Sequence, residues 1–148
     1  MSPAVCATAD DVRAWGRQLA AELPAFTVLV LSGELGAGKT TLMQGLAAGW
    51  DVAGEEEVAS PTYTLIHEYR RGPRWLLHLD LYRAETKAQL ATLGLEDVLL
   101  PPPPGEEKIV AIEWGERVEA HLPRPYLRIA IHADAASDAR TLVPAWVR

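Results

Sequence analysis

The stretch Phe26-Thr27-Val28-Leu29-Val30-Leu31-Ser32-Gly33-Glu34-Leu35-Gly36-Ala37-Gly38-Lys39-Thr40 decides how the rest of the chain is read. Its first seven residues are a nearly continuous run of β-formers, which predicts a strand buried on both faces. The next eight match the pattern G-x-x-x-x-G-K-[ST] in full. The spacing has a physical cause. Glycines at 33, 36 and 38 let backbone N–H groups turn inward around phosphates. The helix that follows presents its N-terminus to the anion. Lys39 reaches the β- and γ-phosphates, and the Thr40 hydroxyl ligates Mg²⁺. With 11 glycines, 3 lysines and 13 serines plus threonines in the chain, chance supplies about 0.001 such matches. Leu42, Met43, Leu46 and Ala47 then recur at helical spacing, so a helix over Thr40–Trp50 completes a strand–loop–helix unit.

Working outward from that unit, Thr8 with Asp10 and Asp11 reads as a helix start. Val12, Trp15, Leu19 and Leu23 follow on one face, and Pro24 stops the helix. On the other side, Glu55-Glu56-Glu57 reads as an exposed acidic loop. Ser60-Pro61-Thr62-Tyr63 reads as a break, because the residue before proline avoids helix. Thr64–Tyr69 and Trp75–Leu81 predict two strands joined as a hairpin. Ala84–Leu93 predicts a helix stopped by Gly94, with Leu95–Leu100 as its apolar tail. The prolines at 101–104 form a stiff connection. Ile109–Glu113 predicts another buried strand, and Gly115–Leu122 a short helix. Tyr126–His132 and Thr141–Val147 predict a closing hairpin, with Pro144 placing its strand at a sheet edge. Strands alternating with helices give an α/β class, and the hairpins add antiparallel pairing. The expected architecture is a single three-layer domain of the P-loop NTPase type over residues 1–148, with a mixed, partly antiparallel sheet.

A phosphate-loop enzyme needs an acid at the end of a neighbouring strand to hold Mg²⁺ or its waters. Asp80 ends Trp75–Leu79 and Glu113 ends Ile109–Ile112, so both are candidates. One acid would assist the metal while the other handles the attacking water, and the strand ends do not assign the two tasks. The lesser alternative for each is a strand-end acid that caps the next helix. Thr62 is placed where a switch threonine reaches Mg²⁺, or where an ordinary turn threonine sits. Asp51-Val52-Ala53-Gly54 imitates the D-x-x-G of GTP switches, but it follows a helix. The chain contains no asparagine, so the N-K-x-D guanine reader is absent, and ATP is expected by elimination.

Composition narrows the classes further. The 148 residues carry a formal net charge of −6, which argues against a free-standing nucleic-acid binder. Arg70, Arg71, Arg74 and Arg83 offer a local basic patch, read first as a solvated hairpin face. The single cysteine, Cys6, permits no internal disulfide and fits a reducing compartment. No apolar run reaches the ~18 residues of a membrane span, and no leader pattern is visible. The expected location is cytoplasmic, with no membrane partner.

Four blocks, in order along the chain, carry a resemblance. They are Gly33-Glu-Leu-Gly-Ala-Gly-Lys-Thr-Thr41, Ser60-Pro-Thr-Tyr-Thr-Leu-Ile66, His78-Leu-Asp-Leu-Tyr-Arg83 and Ile112-Glu-Trp-Gly-Glu116. Together they resemble the bacterial TsaE (YjeE) family, ATPases needed for threonylcarbamoyladenosine modification of tRNA. The resemblance implies that Gly36, Ala37, Gly38, Lys39, Thr40 and Thr41 bind the ATP phosphates, with Thr40 on Mg²⁺. Ser60, Pro61, Thr62 and Tyr63 would form a mobile segment near the γ-phosphate. Glu113 would be the metal-associated acid and Asp80 a second acid needed for hydrolysis. Thr8 and Arg140 would touch the nucleotide from the two ends of the chain, although a helix cap and a turn residue are the plainer readings. The family implies work with a TsaB–TsaD complex, in which TsaD is the transferase, and contact with tRNA indirectly through that complex. Its ATPase activity is weak alone and raised by partners. Two other readings stay open: a small-molecule kinase of the P-loop class, and a non-catalytic nucleotide switch.

Overall fold

The computed structural model describes residues 2–34, 36–59, 66–81, 94–114 and 118–148. Its elements are β1 (Ala4–Cys6), α1 (Ala9–Glu22), β2 (Phe26–Ser32), α2 (Lys39–Gly49), a 3₁₀ turn (Glu55–Glu57), β3 (Ile66–Arg71) and β4 (Arg74–Asp80). A short helix α3 (Leu95–Val98), β5 (Glu107–Glu113), a second 3₁₀ turn (Glu119–His121), β6 (Tyr126–Ala133) and β7 (Arg140–Val147) follow. The sheet has seven strands in the order β1-β7-β6-β2-β5-β4-β3. The inner four, β6, β2, β5 and β4, are parallel neighbours. β3, β7 and β1 add antiparallel pairs on the two flanks. This is the mixed α/β sheet of a P-loop NTPase-type fold.

Why β2 is central follows from its side chains. Leu29 and Leu31 point to one face and Val28 and Val30 to the other, all at 2% exposure or less. On the first face they join Leu76, Ile109, Ala111, Leu127 and Ile129 beneath α1 and α2. On the second they join Leu77, Leu79, Val110 and Ile112, covered by Leu95, Val98, Leu99, Val118 and Leu122. The sheet is thus sandwiched, and the strand period of two sorts the core into two halves. α1 starts at a full capping box: Asp11 N donates to Thr8 Oγ1 and Thr8 N donates to Asp11 Oδ2, each at 3.2 Å.

Several expectations change. β1 lacks any sequence signal, and it is a strand only because Ala4, Val5 and Cys6 pair with Leu142, Thr141 and Arg140. β7 therefore is not an edge strand along its whole length. β1 stops at the level of Leu142, so Pro144 still lies where no β1 residue needs its missing N–H. The acidic triplet is a 3₁₀ turn rather than an open loop, because Gly54 N donates to Glu57 Oε1 and Glu55 pairs with Arg17. Within the described part of the expected 115–122 helix there is only a 3₁₀ turn. The hairpin β3–β4 turns at Gly72-Pro73, with Gly72 at φ 58°. The expected helix over 84–93 and Arg83 lie outside the described residues.

Candidate nucleotide-binding site

The phosphate loop leaves the carboxyl end of β2 between β5 and β6, since Leu31 pairs with Glu113 on one side and Ile129 on the other. Gly33 is forced by close approach: a Cβ there would lie 2.7 Å from the Ile131 carbonyl oxygen. Gly38 holds φ 111° and caps α2 without any side-chain acceptor. The first turn of α2 also carries no acid. The contrast with the fully capped α1 is informative. The leading N–H groups of α2 are left for an external anion, which its dipole also favours. A Cβ on Gly36 would meet no heavy atom within 4 Å, so the loop is open on that side. Thr40 and Thr41 are half-buried in the first turn.

Lys39 is 5% exposed. Its ammonium donates to the Gly33 carbonyl at 2.8 Å and lies 4.2 Å from the centroid of the Trp114 ring. A buried cation held by one carbonyl and one aromatic face keeps two donors for an incoming phosphate.

The two strand-end acids come together as the parallel register requires: Asp80 is the partner of Glu113 across β4 and β5. They are 7% and 3% exposed. Alternation along the strands puts both on the face that carries α2, with Leu76, Ile109 and Ala111. Two buried neighbouring carboxylates repel unless a cation lies near them. Among the described residues no group of three or more His, Cys, Asp or Glu forms a ready cage.

Thr8 and Arg140 line one cleft although 132 positions in the chain separate them. With Gly36, Gly38, Thr41 and Asp138 they line a cleft of about 240 Å³ beside the loop. Arg140 Nε donates to the Ala37 carbonyl at 2.9 Å, and a second guanidinium nitrogen reaches the Gly36 carbonyl at 3.5 Å. It is a brace for the loop, not a plain turn residue. Thr8 is both helix cap and cleft wall. A second cavity of about 610 Å³ opens on the other side, lined by Gly33, Lys39, Trp114, Glu119, Arg128 and His132. There the Arg128 guanidinium donates twice to Glu119, which raises its already high pKa. Ser60, Pro61, Thr62 and Tyr63 lie outside the described residues.

Sequence reasoning gives no role to His78, whose Nε2 lies 2.5 Å from Glu113 Oε2. Its spacing of two before Asp80 was the available signal, since i and i+2 share a face. The hairpin arginines are not a free basic patch. Arg70, Arg71 and Arg74 pair with Glu106, Asp51 and Glu107 at 2.6, 2.8 and 3.2 Å. Among the described residues no helix is long and apolar enough to cross a membrane.

A family model described as "Threonylcarbamoyl adenosine biosynthesis protein TsaE" matches residues 6–142. Proteins called tRNA threonylcarbamoyladenosine biosynthesis protein TsaE are similar across the chain. The one from Nostoc sp. is 42% identical over 136 residues, covering 87% of this chain and 77% of that protein. The one from Mycobacterium leprae is 37% identical over 152 aligned positions, covering 97% and 89%. The one from Synechocystis sp. is 46% identical over 110 residues, and the match spans 70% of this chain and 64% of that protein. The crystal structure of Bacillus subtilis YdiB superposes with a TM-score of 0.72 at 28% identity, covering 97% of this chain and 84% of that one. With the loop, the paired acids and these likenesses in one place, the chain belongs to the TsaE family.

Proposed function

We propose that this chain is the ATP-binding and ATP-hydrolysing subunit of tRNA threonylcarbamoyladenosine biosynthesis, acting with TsaB and TsaD and not itself the transferase. The family places it in that pathway. The observation that carries the nucleotide reading is the uncapped start of α2 with Lys39 buried in its first turn, on a sheet whose neighbouring strands end in the Asp80–Glu113 pair. Backbone N–H groups of Gly36 to Thr41 would cradle the phosphates, and Lys39 would neutralise the outer ones. Thr40, Glu113 and Asp80 would hold Mg²⁺, which when bound offsets charge developing between the β- and γ-phosphates. Thr8 and Arg140 would contact the nucleoside end through the smaller cleft. Ser60 to Tyr63 would respond to the γ-phosphate. Contact with tRNA runs through the partners, in the cytoplasm.

The test is Mg²⁺-dependent ATP hydrolysis by the chain alone and with its cognate TsaB–TsaD pair. A low basal rate that rises with the pair is expected, and Lys39→Ala is expected to remove both, along with the tRNA modification in cells. An active pair that leaves the rate unchanged defeats the partner-gated reading.

A second reading, phosphoryl transfer to a small acceptor, draws on the 610 Å³ cavity that shares Lys39 with the phosphate loop. Labelled ATP incubated with nucleosides and small acids separates the two, because only a kinase yields a phosphorylated product.

A further inference from the structure

Glu113 has a close partner from the neighbouring strand β4. Its Oε2 lies 2.5 Å from Nε2 of His78, a residue with no exposed surface and 35 positions away in the chain. The parallel register explains the reach: His78 is opposite Ala111, and Asp80 opposite Glu113. His78 thus lies one side-chain step behind both acids, on the same face of the sheet. Its other ring nitrogen, Nδ1, is buried and finds no hydrogen-bond partner among the described residues. That asymmetry fits a proton on Nε2, between the ring and the carboxylate. A proton on Nε2 leaves only a lone pair unsatisfied, whereas a proton on Nδ1 would strand a buried donor, the rarer fault in folded proteins. Packing does not require this residue. Leu76, Leu77 and Leu79 fill the neighbouring positions of β4, and leucine would bury no unsatisfied nitrogen.

We infer that His78 is a positioning residue for Glu113: its Nε2–H donates to Oε2, fixes the carboxylate rotamer, and leaves Oε1 as the oxygen presented to Mg²⁺. The inference rests on the reading of Glu113 as the metal-side acid. Outer partners of metal-binding carboxylates and imidazoles act in this way, and their loss weakens metal affinity by about 10–100-fold.

The measurement is binding of a fluorescent ATP analogue to the full chain, titrated with Mg²⁺, for wild type, His78→Leu, His78→Gln and Glu113→Gln. His78→Leu is expected to weaken apparent Mg²⁺ affinity by about 10-fold or more, with Mg²⁺-free nucleotide affinity retained. His78→Gln, whose amide reaches the place of Nε2, is expected to recover most of the loss. Wild-type Mg²⁺ dependence in His78→Leu, with Glu113→Gln impaired, overturns the positioning role alone. Nucleotide binding that ignores Mg²⁺ in wild type overturns the functional reading beneath it. Should His78→Leu not fold, the tautomer in the wild-type protein decides: ¹⁵N-detected imidazole signals must show the proton on Nε2, and a proton on Nδ1 refutes the inference.

Discussion

Two of the chain's lysines are buried for opposite reasons. Lys39 is held in place by a carbonyl and a ring while its charge faces the phosphate loop. Lys108, at 4% exposure, donates to the Leu100 carbonyl at 2.8 Å and lies 5.9 Å from the Trp75 ring centroid. Burial strips water from its ammonium and lowers its pKa below the usual 10.5, with Glu68 opposing in part. The unfolded chain therefore holds this proton to higher pH than the folded one does. Stability gains from this group as pH rises from the lowered folded pKa toward 10.5. Lys108→Met should lose that gain. Urea midpoints of wild type and variant at pH 8 and pH 10 are expected to shift relative to each other in that sense. An unchanged difference between the two proteins would show that the amine is as well solvated as in the unfolded chain.

At the scale of elements, the crossing of α1 over α2 sets where the phosphate loop ends. A Cβ on Gly45 would lie 2.1 Å from the Arg13 carbonyl oxygen, and one on Gly49 would lie 2.6 Å from Arg17 Cα. Glycine to alanine inside a helix ordinarily gains up to ~1 kcal/mol. Here the overlap is with backbone, so the helices must part, at about 1–3 kcal/mol. Gly45→Ala is accordingly expected to lower the melting temperature by several degrees, at ~2–4 °C per kcal/mol for a chain of this size. It should weaken nucleotide binding as well, since α2 carries Lys39 and Thr40. A stabilised variant would contradict the close crossing. Neither helix contact was legible beforehand. Periodicity announced that α1 and α2 are helices, and the apolar run announced β2 to the residue, because both signals are local. β1 is three residues long and becomes a strand only through β7. The same holds at the site. Gly33 to Thr40 spells itself out, and Asp80 and Glu113 follow from strand ends. The bond from His78 to Glu113 and that from Arg140 to Ala37 depend on sheet order, which no window of sequence contains.

Across the whole molecule, charge argues about partners. The net charge is −6, and the three described arginines of the β3–β4 hairpin are each matched by an acid. Little cationic surface is left there to release counterions from an RNA backbone. The isolated chain is expected not to retain labelled tRNA at physiological ionic strength, and any binding at low salt should vanish steeply as salt is added. Tight binding that survives physiological salt would relocate tRNA contact onto this subunit.

The brace from Arg140 to Ala37 spans 103 residues of chain. On a ribosome the phosphate loop emerges first, and its brace in β7, the strand that secures β1, follows 103 residues later. At about 5–20 residues per second, the loop waits roughly 5–20 s for it. A nascent chain therefore has the loop motif long before it has the brace and the cleft beside it.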